Sequence, residues 1–292
     1  MSFNKFRAFT LVELLVVIVI VGLLSSVTLV ITQGIREQGR IAKSLQFSQH
    51  LENSLGDYLV ARWNFDEGTD ITIEDSSGWG NDGTLGNGLC VPGSNSCPNW
   101  SNDTPSNQGY SLSFDGINDY VDAKTNPSLL GPFAAVTVEA WIKTENPGYI
   151  ASGRYPNTFS SGFVLATNLF YVFTDGTPSE GGTTSTFIVQ DNKWHHVVGT
   201  YNKSTGDIKF YVDGENKASG ISDGNVKAGV RMFIGSRAGS DSWFKGSMDE
   251  VNIYSTAITA SQIKSQYYIG LEKLLAKGLI NQREYQNRLT IN

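Results

Sequence analysis

Hydrophobic and polar positions divide this chain of 292 residues into three regimes. From Leu11 to Ile31 nearly every residue is apolar, and Glu13 is the one charge in the run. At about 1.5 Å per residue a helix of that length spans roughly the hydrocarbon thickness of a bilayer. Backbone groups in hydrocarbon must pair internally, so a helix is the expected form. Past Ile31 the apolar positions Ile35, Ile41, Leu45, Leu51, Leu55, Tyr58 and Leu59 keep a helical spacing, with Arg36, Glu37, Arg40, Lys43 and Glu52 between them. That pattern predicts an amphipathic continuation. One long helix over 9–57 is expected, with 9–31 as its transmembrane or filament-core part. From Ala61 the period drops to two. Val136–Ile142, Leu169–Phe173, His196–Tyr201 and Lys209–Val212 alternate or run apolar, and Asp115-Gly116, Asp175-Gly176, Asp213-Gly214 and Asp223-Gly224 punctuate them. Many short strands with regular turns predict a sandwich or jelly roll. After Thr259 the helical period returns. Leu271, Leu274, Leu275, Leu279, Ile280, Tyr285 and Leu289 form an apolar stripe, Gly278 interrupts it, and Asn281 caps a second short helix. This basic tail, 269–292, either docks on the N-terminal helix or a neighbouring subunit, or lies on the surface as a hairpin. The pattern alone does not choose.

The chain starts with a basic leader, residues 1–8, carrying Lys5 and Arg7. A small residue, Ala8, then meets Phe9 ahead of the apolar run, and Glu13 follows four residues later. A secretory signal has its apolar core before the cleavage site, so here the membrane segment survives processing. The basic leader places the N-terminus in the cytoplasm and the rest outside. Leader, junction, Phe9 and Glu13 together resemble the type IV prepilin and pseudopilin family. The resemblance covers about the first fifth of the chain. It implies cleavage between Ala8 and Phe9 by a prepilin peptidase, methylation of the new Phe9 amine, and assembly with other pilin subunits through the helix. Most members of that family carry glycine where Ala8 stands. A carboxylate at low dielectric needs a partner, and the Phe9 amine of the same or a neighbouring subunit suits Glu13. The alternative is an ordinary signal anchor with Glu13 at the membrane edge.

Between Ala61 and Ile263 there are 12 Lys and Arg against 22 Asp and Glu. No basic patch with interleaved aromatics occurs, so nucleic acid is not an expected partner of the head. The only cysteines, Cys90 and Cys97, flank a Pro-Gly turn. In an extracytoplasmic domain a disulfide persists, and a loop-stapling bridge is expected, two free thiols being the alternative.

Seven phrases in order carry a second resemblance: Trp63–Gly68, Asp75–Gly83, Phe114–Val121, Val138–Ile142, Trp194–Val198, Phe210–Gly214 and Gly246–Tyr254. Together they resemble the laminin G-like, concanavalin A-like jelly-roll family over 61–268. The expected fold is therefore mainly β: a long N-terminal transmembrane helix, a concanavalin A-like β-sandwich and a short C-terminal helical tail. The resemblance implies one structural calcium. Its ligands would be Asp66 or Glu67, the loop from Gly78 to Gly83 with Asn81, and Asp249. Calcium takes six to eight oxygens from such carboxylates and carbonyls; otherwise these acids cap turns. His195 and His196 are adjacent on a strand and face opposite sides, so they cannot share a metal; one packs or caps and the other faces solvent. Trp63, Trp141 and Trp194 lie in strand-like runs and are assigned to packing. Among Trp79, Trp100, Tyr149, Tyr155, Tyr171 and Trp243, the three tryptophans sit among Gly, Ser and Asn. Trp79, Trp100 and Trp243 are therefore the candidates for stacking on a sugar.

No nucleophile elbow, phosphate loop or metalloprotease motif is present, and no enzymatic activity is expected. The leading expectation is a minor pilin or pseudopilin that presents an extracellular binding module to a glycan or surface protein. It would sit in the bacterial cytoplasmic membrane as a single-pass protein, in a pilus or pseudopilus or at the cell surface. The alternative is a membrane-anchored glycan-binding protein or glycoside hydrolase that never polymerises.

Overall fold

The computed structural model describes residues 11–22, 46, 49–91, 94, 96–106, 109–153, 161–239 and 241–290. The chain divides into two compact units, Met1–Leu51 and Glu52–Asn292. In the first, residues 11–22 form a helix whose side chains are all exposed, Glu13 included. Ala8 and Phe9, the leader and most of the expected continuation lie outside the described residues. Among the described residues no helix is long and apolar enough to cross a membrane.

The second unit is a two-sheet antiparallel sandwich. Residues 52–55 are helical and pass through a 3-10 turn, Gly56–Tyr58, into β1 (Leu59–Trp63). The first sheet runs in the order β14 (Glu215–Ile221), β13 (Asp207–Val212), β12 (Trp194–Asn202), β7 (Ala135–Lys143), β16 (Lys245–Tyr254), β5 (Ser111–Asp115), β4 (Asn99–Ser101), and β1 pairs with β16. The second runs β11 (Glu180–Thr184), β10 (Leu169–Phe173), β9 (Phe163–Ala166), β8 (Tyr149–Ser152), β15 (Phe233–Ile234), β6 (Val121–Asp122), β3 (Gly83–Leu85), β2 (Thr72–Ile73). Alternation sends every second side chain inward. Trp63, Phe163, Phe170, Tyr201, Phe210 and Phe244 thereby meet between the sheets with almost no exposure. Each such side chain contributes about 1.5–3 kcal/mol.

The tail forms two helices, α1 (Ala260–Ala276) and α2 (Gln282–Thr290). Thr259 and Gln262 close a capping box at the start of α1. Gly278, at φ +75°, turns the chain after it, and the Asn281 side chain accepts a hydrogen bond from the Glu284 amide at 2.9 Å. The pair docks on the outer face of the first sheet. Trp141, Trp194, Tyr267, Leu271, Leu274, Ile280 and Tyr285 form a second apolar cluster there. The tail thus packs on its own head, a placement its sequence pattern did not single out. Arg288 donates to the Trp194 carbonyl at 2.8 Å, and Lys277 donates to the Asn102 carbonyl at 3.3 Å.

A Cβ on Gly270 would sit 2.0 Å from the Trp141 ring, so α1 reaches the sheet only because that position has no side chain. Gly270→Val overpacks the contact at a cost of about 1–3 kcal/mol, a fall in Tm of roughly 2–10 °C. Hydrogen exchange in α1 and α2 is expected to quicken while the central strands stay protected. An unchanged Tm would show that the helices do not depend on this approach.

Candidate functional site

The acids expected to bind calcium accept hydrogen bonds from the protein. Asp66 accepts from the Tyr110 amide at 3.3 Å, and Glu67 from the Glu74 amide at 2.7 Å. In the Gly78–Gly83 loop it is Asp75 that organises the chain. Its two oxygens accept from the amides of Arg62, Ser77 and Asn81 and from the Ser77 hydroxyl, at 2.7–2.9 Å. Asn81 is buried, donating to the Val60 carbonyl at 2.7 Å and accepting from the Ser128 hydroxyl at 3.2 Å. Gly83 belongs to β3 and pairs with β2. Asp249 is fully buried at a bulge in β16, where Glu250 takes φ +50°. It accepts from the Thr104 hydroxyl at 2.5 Å and the Glu250 amide at 2.8 Å. Burial, and then the charge of Glu250, push its pKa well above the usual carboxylate range. Positive charge comes from the tail: the Lys273 ammonium lies 3.6 Å from Glu250. Among the described residues no group of three or more histidine, cysteine or carboxylate side chains is arranged to hold a metal ion. One oxygen of the set, the buried Glu67 Oε2, has no hydrogen-bond partner.

The three candidate tryptophans separate. Trp79 is 59% exposed at the tip of the turn that Asp75 braces. Trp100 is half-buried, donates to the Asp70 carbonyl at 3.1 Å and meets Tyr110 edge-on. Trp243 leans against Tyr120, with ring centroids 5.9 Å apart. Around Trp243 the second sheet presents its outer face. Strand register aligns Asp122, Phe233, Ser152, Val164, Tyr171 and Gly182 in one row across six strands. Arg231 pairs with Asp122 through both nitrogens and lies over the Phe233 ring, 5.9 Å from its centroid. Tyr120 meets Phe233 edge-on at 5.9 Å. Arg237 pairs with Asp241 and shares a hydrogen bond with Tyr149. A Cβ at Gly182 would lie 2.4 Å from the Tyr171 ring, so that ring rests flat on the neighbouring strand. Asp122, Ser152, Val164 and Phe233 are buried, while Tyr120, Tyr171 and Trp243 are partly exposed; those three rings and the arginine–aspartate pairs suit stacking on a sugar and bonding its hydroxyls. Tyr155 lies outside the described residues. Tyr120, Asp122, Arg231 and Arg237 were not candidates from sequence. Alternation around the inward Val121 was the signal for the first two.

Both histidines are buried, which corrects the expectation that one faces solvent. His196 stacks on Trp141, with centroids 5.4 Å apart, and its Nε2 lies 3.4 Å from the buried Glu139. His195 sits at the end of the first sheet between two carboxylates, Nε2 2.9 Å from Asp191 and Nδ1 2.7 Å from Asp213. Burial pulls the His195 pKa down, but the charge of Asp213 and the bonds to both acids more than reverse this, to about 9. The bond from His195 holds Asp191 at about 2.

The model of the concanavalin A-like lectin/glucanases superfamily matches residues 115–264, just over half of the chain. The chain belongs to that superfamily. Residues 3–29 match the prokaryotic N-terminal methylation motif. Solved structures share the fold at low identity. Domain 4 of AbnA, a GH43 extracellular arabinanase from Geobacillus stearothermophilus solved with arabinotriose, is 21% identical, with a TM-score of 0.53 over 71% of this chain and 97% of that one. The binding domain of Paraclostridial Mosquitocidal Protein 1 is 14% identical, with a TM-score of 0.55 over 74% of this chain and 53% of that one. A structure of botulinum neurotoxin type C, described as entering cells through two ganglioside molecules, is 12% identical, with a TM-score of 0.52 over 74% and 52%. Among curated proteins, the rat (Rattus norvegicus) sushi, von Willebrand factor type A, EGF and pentraxin domain-containing protein 1 is 25% identical over 180 residues, which are 54% of this chain and 5% of that protein. The chain therefore spans about a twentieth of that relative's length.

The position of His195 in this concanavalin A-like sandwich makes stability depend on pH. A folded pKa of about 9 against 6.5 unfolded means the stabilisation is complete below about pH 6.5 and is lost as pH rises through 9. The full amount is on the order of 3 kcal/mol. Urea unfolding at pH 6, 7.5 and 9 is expected to show that decline in the native protein and a flatter, lower curve in His195→Gln. Parallel curves would exclude His195 as its source.

Proposed function

We propose that this protein is a type IV pilin-like subunit, of the minor pilin or pseudopilin kind, whose sandwich binds glycans outside the cell. The observation that carries the reading is the pairing on one chain of a methylation motif over 3–29 with a concanavalin A-like domain. Physical chemistry supports each half. An apolar stretch carrying one acid is stable in lipid or a filament core only if that acid finds a cation. Processing at Phe9 would create one four residues away from Glu13, and the same pairing between subunits would set the register of a polymer. In this reading the N-terminal helix anchors the chain in the cytoplasmic membrane before assembly. At the other end, the row around Tyr120 and Trp243 offers aromatic faces beside fixed arginine–aspartate pairs. The arabinotriose complex of AbnA domain 4 and the ganglioside dependence of the type C neurotoxin support a sugar as the ligand. The reading includes no catalysis.

Three measurements test the halves separately. Mass spectrometry of the mature protein from cells should find N-methylated Phe9 as the first residue. Residues 1–8 still attached would remove the polymer and leave a tethered receptor. Glu13→Val should abolish incorporation into filaments with the melting of the sandwich unchanged. A glycan array probed with the full chain in detergent micelles should give hits that Trp243→Ala weakens about tenfold, or roughly 1.4 kcal/mol. Hits untouched by that substitution would move the ligand off the second sheet.

A further inference from the structure

At the end of the first sheet α2 forms one wall of a groove of about 380 Å³. The loop before β12, the turn at Asp213-Gly214 and the start of β14 form the others. We propose that this groove is a second ligand site, distinct from the aromatic row, for a neutral polyhydroxylated molecule such as one or two sugar residues.

Size is the first argument. Small-ligand sites occupy roughly 300–1,000 Å³ and combine aromatic walls with a few fixed polar groups. The second is an apolar platform. Phe187 lines the groove with 43% of its surface exposed, and the Lys217 ammonium lies 5.0 Å from its ring centroid. Tyr267 of α1 lies behind the lining, almost wholly buried, and leaves Phe187 as the exposed ring.

The third argument concerns charge and selects the ligand class. Every ionic group in the lining already has a partner of opposite sign. His195 is held between Asp191 and Asp213. Glu284 receives Lys193 at 3.2 Å and Arg288 at 2.9 Å. Lys217 is paired with Glu215. Four acids thus face four cations, and His195 keeps its charge up to about pH 9. A charged ligand would have to displace one of these partners and strand it, which is costly in a partly buried site. A hydroxyl needs no displacement. It donates to a carboxylate oxygen that still has a free lone pair, or accepts from an ammonium or guanidinium hydrogen left over from the pair. Such pre-paired groups also hold their geometry before the ligand arrives.

The groove is a product of the tail. Glu284 and Arg288 come from α2, and Arg288 is fixed by its bond to the Trp194 carbonyl. No part of it belongs to the second sheet, so the row and the groove can fail independently.

Saturation-transfer NMR and calorimetry on the full chain in detergent micelles would test the proposal. The probes are the methyl glycosides of glucose, galactose and arabinose, with N-acetylneuraminic acid as the charged comparison. At least one neutral glycoside is expected to bind. Phe187→Ala removes an exposed ring and should preserve the fold, checked by its Tm. It should weaken that binding about tenfold or more, while Trp243→Ala leaves it unchanged. The proposal is overturned if no neutral glycoside binds, if Phe187→Ala has no effect, or if N-acetylneuraminic acid is the probe that Phe187→Ala releases. Weakening by Trp243→Ala alone would also overturn it, and would leave the proposed glycan-binding row standing.

Discussion

Trp141 lies between two rings, and the arrangement of the head follows from that stack. His196 stacks on it at 5.4 Å and Tyr267 at 6.1 Å, both within 30° of parallel. The first partner is on the neighbouring strand and the second on α1, so one indole ties the tail to the middle of the first sheet. Beneath the helix a carboxylate is buried as well. Glu139 accepts at one oxygen from Asn252, Tyr254 and Gln266, at 2.9–3.1 Å, and His196 stands 3.4 Å from the other. A buried carboxylate is tolerable only with such donors, and one of them, Gln266, is supplied by α1. Apolar and polar contacts therefore agree on where the helix must lie.

Covering one face decides what the other can do. The outer face of the first sheet is packed by the protein's own helices, whereas the outer face of the second leaves Tyr120, Tyr171, Trp243 and two arginine–aspartate pairs partly exposed. The two surfaces differ in kind. The tail-covered face stabilises by excluding water from Trp141, Trp194 and Tyr267. On the second sheet Tyr120 meets Phe233 edge-on and Trp243 at a tilt, and their orientation is set before any ligand approaches. Rigid aromatics with few rotatable bonds lose little entropy on binding, which suits a shallow surface for extended chains.

How much of this was legible in the sequence depends on the range of the interaction. Local chemistry read well. The period-two runs became strands, Gly278 ended α1, Asn281 capped α2, and Trp63, Trp141 and Trp194 are buried as their strand-like contexts implied. The Asp213-Gly214 turn was legible as a turn, but its second use, clamping His195 across to β12, was not. The calcium expectation rested on acids near one another in a family pattern. The sequence did not show which protein groups these acids would meet: backbone and hydroxyl donors on Asp75, and the Thr104 hydroxyl on Asp249. The aromatic row was illegible for a topological reason: its six aligned positions come from six strands scattered between 122 and 233, brought together only by the register of the second sheet.

A partly exposed aromatic face and a small neutral groove both belong to the weak end of molecular recognition. Neither encloses its ligand, and the loss of translational and rotational freedom on association consumes most of what a few stacked rings provide. Such sites gain strength by repetition. Once one head is engaged, a second site tethered to it meets its ligand at an effective concentration in the millimolar range for a short link, so the combined affinity exceeds either alone by roughly 10²–10⁴-fold without any new contact. A head that carried two separate sugar surfaces, on a helix that assembled beside its neighbours, would have this repetition at two levels. On the proposed reading, Glu13 and Trp243 then serve the same end from opposite parts of the chain. The charge in the stalk multiplies the copies, and the ring on the sheet needs those copies to hold a surface.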